Sequence, residues 1–412
     1  MSTQLHDKMT QAWEISWARF FRPETNLFYD HISSKDPAHS QGHLPTVDEV
    51  RRQYPNVCGW GTGMEDSAIA AGVWIAAICD RFDATGDWGV KAYADKVWSG
   101  MARLAAIARS PGFIPRSAHP ADGESHYINS SRDQYTHYVH GLWRFYRSPL
   151  SDDTQREAMR TIIAAICERM ERNVIPENDY SLCREDGKPG KVDKMWDVWC
   201  HEWARLPMIY IVGWDVTGDE HWYTLYQRYA WKAARESVTS PIWFRVAYAY
   251  MQAVFSLEPL VTLERRDPNL RSAWLKAMQF YANRMEGFTW TCLNGYKPLD
   301  INAYDLDWRH WKSHPMNSDG DGGPDGAFCP CFPNNIAWDY AQDRSDGEGA
   351  WIREPAEALL SQLMVPDRPL PPDQRDLLLH LLHQTDYDAC ITYGLFFAIA
   401  AYWRARKVAQ VF

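Results

Sequence analysis

The sequence predicts an all-α protein, a ring of six or seven helical hairpins closed into an (α/α) toroid, on three observations. Helical periodicity runs along the chain, and no sustained run of alternating, β-branched residues interrupts it. A five-residue turn of the form Asp-x-Thr-Gly-Asp occurs twice, at 83–87 and 215–219. Two loops, 109–130 and the glycine- and aspartate-rich 317–326, are longer than a plain solenoid needs.

The periodicity is clearest in EDSAIAAGVWIAAICDRF (65–82), KAYADKVWSGMARLAAIA (91–108) and QREAMRTIIAAICERMERNV (155–174), where apolar residues recur at helical spacing. Each Asp-x-Thr-Gly-Asp turn joins an apolar helix to one containing tryptophan. Roughly midway between the two turns, RSPLSDD (147–153) plays the same connecting part. Half the 132-residue offset between the turns gives a hairpin of about 66 residues, and 412 residues hold about six of them. In a closed ring, to which an open solenoid is the alternative, the long loops then line one mouth. No linker divides the chain, so residues 1–412 are expected to form a single domain.

Composition narrows the function. With 46% hydrophobic residues and 21 each of Trp and Tyr, the chain can bury a large core, and flat rings also suit stacking on sugars. A net charge of −10 argues against nucleic-acid binding, though a few local arginines can still hold an anionic substrate in a cleft. The N-terminal stretch lacks a basic segment followed by an apolar one, and no long uncharged apolar run occurs. A cytoplasmic protein with no membrane partner is expected. Nine scattered cysteines fit reduced thiols, and Cys329 and Cys331 are too close and isolated for a zinc site. No nucleotide-binding glycine motif, serine-hydrolase elbow or aspartate-rich cyclase motif is present, and neither cofactor nor metal is expected. Asp319, Asp321 and Asp325 resemble a calcium loop without its closing glutamate.

Three segments concentrate chemistry. In HYINSSRDQYTHYVHGLWRFY (126–146), Ser131 and Gln134 have capping-box spacing, so a helix is expected from Arg132. Arg132 and Asp133 then sit at the loop end of the barrel, with Tyr135 and Tyr138 on the side of Arg132. His126, Tyr127 and Asn129 precede them, close enough to fold over the same mouth; His140 to Tyr146 reads as packing. A cation, an amide, an imidazole and phenols are the parts β-elimination on a uronic acid requires. Arg132 and Asn129 would neutralise the carboxylate, Tyr138 or Tyr135 would move protons, and His126 or His201 would assist.

In CGWGTGMEDSAIAAG (58–72), a glycine-rich turn delivers Glu65 and Asp66 to the start of an apolar helix, beside Trp60. Helix dipoles favour acids there in any case, but paired carboxylates across a cleft, with Asp133 opposite, also describe a glycosidase. In KMWDVWCHEWARLPMIY (194–210), His201-Glu202 followed by Arg205 is an incomplete zinc-protease pattern. Trp196, Trp199 and Trp203 form an aromatic stripe, and Asp197, His201 and Arg205 share a face. Trp308, His310 and Trp311 are a further candidate sugar platform.

With 58–72 and 126–146 in view, the chain resembles the six-hairpin toroid carbohydrate enzymes, which include glucuronidases, unsaturated-glucuronyl hydrolases and alginate or glucuronan lyases. The toroidal uronate lyases place an arginine and a tyrosine about two helical turns apart, as Arg132 and Tyr138 are here. Where those lyases carry an Asn-His pair, this chain has Met64-Glu65-Asp66, a departure that keeps hydrolysis open as the alternative. The resemblance implies a lyase acting on a uronic-acid-containing oligo- or polysaccharide. The alternative is an inverting hydrolase drawing two acids from Glu65, Asp66, Asp133 and Asp197, and a non-catalytic glycan-binding protein is a third possibility.

Overall fold

The computed structural model describes residues 3–190, 192–239, 246–294, 297–298, 300–303, 306–310, 314–315, 328–329 and 347–408. Twelve helices among them build the fold: α1 (Thr3–Arg19), α2 (Ser67–Thr85), α3 (Lys91–Ile107), α4 (Arg132–Tyr146), α5 (Asp153–Asn173), α6 (Arg205–Thr217), α7 (Glu220–Thr239), α8 (Ala247–Leu263), α9 (Pro268–Thr289), α10 (Glu354–Met364), α11 (Pro372–Gln384) and α12 (Leu395–Lys407). The even-numbered helices α2, α4, α6, α8, α10 and α12 pack each on the next, and α12 packs back on α2. That closes an inner ring of six. The odd-numbered helices lie outside it, with α1 packed on α12 and α11. The toroid expected from the repeat is therefore present in its six-hairpin form among the described residues.

The two sets of helices differ as their surroundings demand. Inner α2 is buried from Ser67 to Asp80 without a break, the signature of a helix apolar on every side. Outer α3 buries Ala94, Val97, Trp98, Met101 and Leu104 at helical spacing and gives its other face to solvent. The two Asp-x-Thr-Gly-Asp turns end α2 and α6, with Gly86 at φ +67 and Gly218 at φ +74. Each closes its helix by an amide bond to a carbonyl four residues back.

Helices α2 and α4 meet backbone to backbone. A Cβ on Gly72 would lie 2.1 Å from the carbonyl oxygen of His137, and one on Gly141 would lie 2.7 Å from the Gly72 Cα. Gly72→Ala is therefore expected to lose about 1–3 kcal/mol through overpacking, despite alanine's better helix propensity. Urea denaturation reads this directly, and an unchanged or raised midpoint would show that the two helices can part at no cost.

All inner helices start at the same end of the ring, because residues at their first turns interact there and residues at their last turns interact at the other end. A short hairpin pairing Phe21 with Phe28 leads the chain to Asp30, which lies at the starting end. The amide of Tyr393, just before α12, bonds the carbonyl of Asp30 at 2.9 Å. Buried Glu348 secures the same seam by accepting from the Ile391 amide (2.9 Å), the Thr392 amide (3.0 Å) and the Thr392 hydroxyl (2.8 Å).

Burial raises the Glu348 carboxyl from its ordinary 4.5 to about 7. The folded chain then keeps this proton where the unfolded chain has released it. Its stabilising contribution is complete below about pH 4.5 and is lost as pH rises through about 7. Glu348→Gln is expected to flatten that part of the stability curve, measured by urea midpoints from acidic to neutral pH. An unaltered slope would show that Glu348 does not hold the proton.

Candidate active site

The starting ends of the inner helices carry a continuous set of charged side chains. On the α2 side, the Asp30 carboxylate accepts the amides of Glu65 (2.7 Å) and Asp66 (2.9 Å). These amides lie just ahead of α2, where helix geometry leaves donors unpaired. Asp66 accepts the Tyr393 hydroxyl at 2.7 Å and the Gln134 side-chain amide at 2.8 Å, with Arg116 at 3.7 Å. Arg116 also donates to the Glu65 carbonyl (3.2 Å) and stands over the ring of Trp60.

Three carboxyls this close cannot all ionise cheaply. Burial, with Asp66 and Glu65 beside it, pushes Asp30 well above the usual carboxylate range, against the pull of its two amide bonds. Burial, with Asp66 next to it, pushes Glu65 up to about 8, while the Gly61 amide, Arg116 and Arg353 pull the other way. Arg353 reaches this cluster from the start of α10, donates to Glu357 at 2.9 Å and lies over the ring of Tyr393.

On the α4–α6 side, Arg205 bonds Asp133 and Arg132 pairs with Glu202. Burial acts to raise the Asp133 carboxyl, but Arg205 and Arg132 outweigh it and hold it down to about 2. His201 lies 3.6 Å from Glu202, and burial, with Arg205 and Arg132 close by, pushes its imidazole down to about 3. Tyr248, at the start of α8, lies within the field of Asp133, Arg205, Arg132 and Arg353, so the two sides face a common space. Beside Arg132, a cavity of about 390 Å³ is lined by Arg132, Lys194, Asp197, Val198, Trp199 and Glu202. Trp199 is 56% exposed there, whereas Trp196 and Trp203 pack edge to face in the core at 4.6 Å.

The structure thus gathers Glu65, Asp66, Trp60, Arg132, Asp133, His201, Arg205 and Asp197 at the mouth, and it corrects the placement of the others. The Tyr138 hydroxyl donates to the Met101 carbonyl (2.7 Å), and Tyr135 donates to the Gly112 carbonyl (2.8 Å) while accepting the Ile114 amide. Both rings are fully buried in the wall, and burial raises both phenols, Tyr135 to about 12. The reason is angular. The stripe of α4 turned to the barrel interior is Asp133, His137, His140 and Arg144, and it lies beside the 132-135-138 stripe rather than on it. His140 and Arg144, read as packing, make buried polar contacts instead: His140 hydrogen-bonds Glu258, and Arg144 pairs with Asp80.

His126 lies on the outer wall, bonded to Glu185 at 3.1 Å and to the Glu124 carbonyl at 2.7 Å. The Tyr127 hydroxyl donates to the Tyr54 carbonyl, and the Asn129 side chain donates to the Cys58 thiol, so both brace the loop. Trp196 packs on Tyr229 as well as Trp203. Trp308 is buried on the His43 carbonyl, and His310 is exposed beside it. Trp311 and the candidate calcium loop with Asp319, Asp321 and Asp325 lie outside the described residues.

Gln134 departs from its expected part. Ser131 accepts the Gln134 amide at 3.2 Å as an N-cap should, but the Gln134 side chain reaches α2 and bonds the Glu65 carbonyl and Asp66 instead of its own helix start. Asp30, Arg116, Arg353, Tyr248 and Tyr393 had no local signal. They come from a hairpin exit, a long loop and three later helix starts, and only ring closure brings them together.

No family model matches the sequence, and no curated protein matches it. Among solved structures, a sugar epimerase from a ruminal bacterium aligns over 69% of this chain and 71% of its own, at 10% identity and a TM-score of 0.46. The GH76A alpha-1,6-mannanase from Salegentibacter sp. HEL1_6 aligns over 71% and 89%, at 13% identity and a TM-score of 0.38. Bacteroides ovatus GH9 aligns over 95% and 68%, at 10% identity and a TM-score of 0.36. The ring and the site rest on this chain's own contacts and not on these likenesses.

Proposed function

We propose that this chain is a carbohydrate-active enzyme that hydrolyses a glycosidic bond, with Glu65 as the general acid. The observation that carries the reading is the division of labour between two mouth carboxyls. Glu65 keeps its proton up to about pH 8, while Asp133 stays ionised down to about pH 2. Carboxyls whose surroundings drive them apart in this way are what protonation of a leaving oxygen, opposite a stabilised cation, requires. Glu65 gives its proton to the glycosidic oxygen as the C–O bond breaks, Asp133 steadies the positive charge that develops at the anomeric carbon, and water adds there, its proton returning Glu65 to the acid form. Trp199, exposed on the adjoining cavity, supplies a flat face for a sugar ring.

Elimination on a uronate, the first expectation from the sequence, has less support. Its proposed bases, Tyr138 and Tyr135, spend their hydroxyls on wall carbonyls. Each mouth arginine already has a carboxylate: Arg116 has Asp66, Arg132 has Glu202, Arg205 has Asp133 and Arg353 has Glu357. A uronic acid therefore remains one candidate sugar among others.

A screen of neutral and uronate-containing glycans, read by product mass and ultraviolet absorbance, tests the reading. Hydrolysis adds the mass of water and creates no absorbing double bond. Cleavage without that mass, with absorbance rising, would replace it by elimination.

A further inference from the structure

A second cavity, of about 690 Å³, opens on the outer wall of the ring between α3 and the loop that follows it. Ser99, Ile107, Arg103, Arg109, Glu124 and His126 line it. We propose that this groove binds a phosphate monoester or free phosphate, at a site separate from the mouth and independent of the chemistry assigned there.

Arg103 is the anchor. Its Nη1 donates to the Gly123 carbonyl at 3.4 Å, while its Nε is buried with no acceptor. Its guanidinium lines the groove with no carboxylate paired to it among the described residues, so an incoming oxyanion meets a cation that is not yet neutralised. The position of the guanidinium is prepared by the loop. Gly123 sits at φ +68, and a Cβ there would lie 2.7 Å from Arg103 Nη1, so only glycine lets the group lie against the chain.

Arg109 supplies the second cation. Its backbone amide donates to Glu185 at 2.6 Å, and its guanidinium lies within the field of Glu185 but, like that of Arg103, forms no ion pair within 4 Å among the described residues. The mouth arginines, by contrast, are all paired. The nearest buried acid, Glu185, is already engaged by His126 (3.1 Å) and by the Arg109 amide. Glu124 is then the one acid among the lining residues, set against two arginines. Guanidinium forks match the oxygens of phosphate. In a chain of net charge −10 an anion has to be held by such local groups, and the volume accommodates a phosphate with a sugar attached.

The test is isothermal titration of the intact protein with inorganic phosphate, glucose monophosphate and glucose at constant ionic strength. One saturable site for both phosphate probes is expected, with glucose alone not competing for it. Tighter binding of the sugar phosphate would identify a phosphorylated sugar as the ligand, and equal binding would identify free phosphate. Arg103→Gln and Arg109→Gln are each expected to weaken binding by roughly tenfold or more, and Gly123→Ala to weaken it as well. Arg109 is exposed, so its variant serves even if the Arg103 variant misfolds. Absence of saturable phosphate binding, or binding indifferent to both arginines, would overturn the proposal. So would binding lost on Arg132→Gln, which would place the anion at the mouth.

Discussion

Glu65→Gln is expected to lower kcat for glycan cleavage by roughly 10²–10⁴-fold with little change in KM, the range lost when a positioned general acid is removed. The amide keeps the shape of the carboxyl and can still accept the Gly61 amide, which lies 3.2 Å from Glu65 in the native chain. Folding should therefore be preserved, and what disappears is the transferable proton. The pH dependence follows from the same surroundings. With Glu65 held at about 8, activity should fall as pH rises through that value, because the acid form is lost. Asp133, held at about 2, contributes no limb in the neutral range. The residual activity of the Gln variant should show no such alkaline fall. Near-native activity in this variant would remove Glu65 from the chemistry, as measured by steady-state kinetics on any cleaved glycan.

The largest expected effect on stability lies at the opposite end of the barrel. There the last turns of α2, α4, α8 and α12 meet in a buried ionic network. Arg144 donates to Asp80 at 2.6 Å and stands 3.8 Å from Glu258, while His140 (2.6 Å) and Arg404 (2.7 Å) also bond Glu258. Arg404 and Lys407 each come within 3.0 Å of Asp80. Burial acts to raise both carboxyls, yet Arg144, Arg404 and Lys407 hold Asp80 at about 2, and Arg404 and Arg144 hold Glu258 well below its usual range.

Arg144→Met removes one of the two arginines the carboxylates share and leaves buried charge undercompensated, at an expected cost of about 3–5 kcal/mol. Arg147→Ala, one turn on, breaks an exposed pair with Asp215 and should cost no more than about 1 kcal/mol. Urea denaturation of the two variants checks the contrast, and equal losses would contradict it. Because Asp80 is depressed, its contribution is present above the ordinary carboxylate range and is lost only as pH falls through about 2.

The fold was legible because it repeats. Two turns of one Asp-x-Thr-Gly-Asp form report the hairpin length, that length divided into 412 residues gives about six hairpins, and the long loops point to a closed ring. The start of α4 at Arg132 was legible from Ser131, a local signal. The direction of side chains was not. Spacing says that Arg132, Tyr135 and Tyr138 share a side of α4, but not whether that side meets the barrel interior or the outer wall. That depends on where Gly72 and Gly141 let α2 and α4 touch. Likewise, nothing local marks Asp30, Arg353 or Tyr393 as neighbours of Glu65. Their meeting follows from the seam between the two ends of the chain, where the Tyr393 amide bonds the Asp30 carbonyl and the Tyr393 hydroxyl bonds Asp66. The aromatic stripe divided for a similar reason: Lys232 of α7 covers Trp196 and Trp203, and the turn at 199–202 leaves Trp199 outside.

Glycan cleavage in water enriched in the heavy oxygen isotope, followed by mass spectrometry of the products, addresses the central claim most directly. Hydrolysis assisted by Glu65 incorporates one solvent oxygen per bond broken, and the incorporation rate falls with Glu65→Gln. Products formed without solvent oxygen, or at the same rate in the variant, would contradict the account.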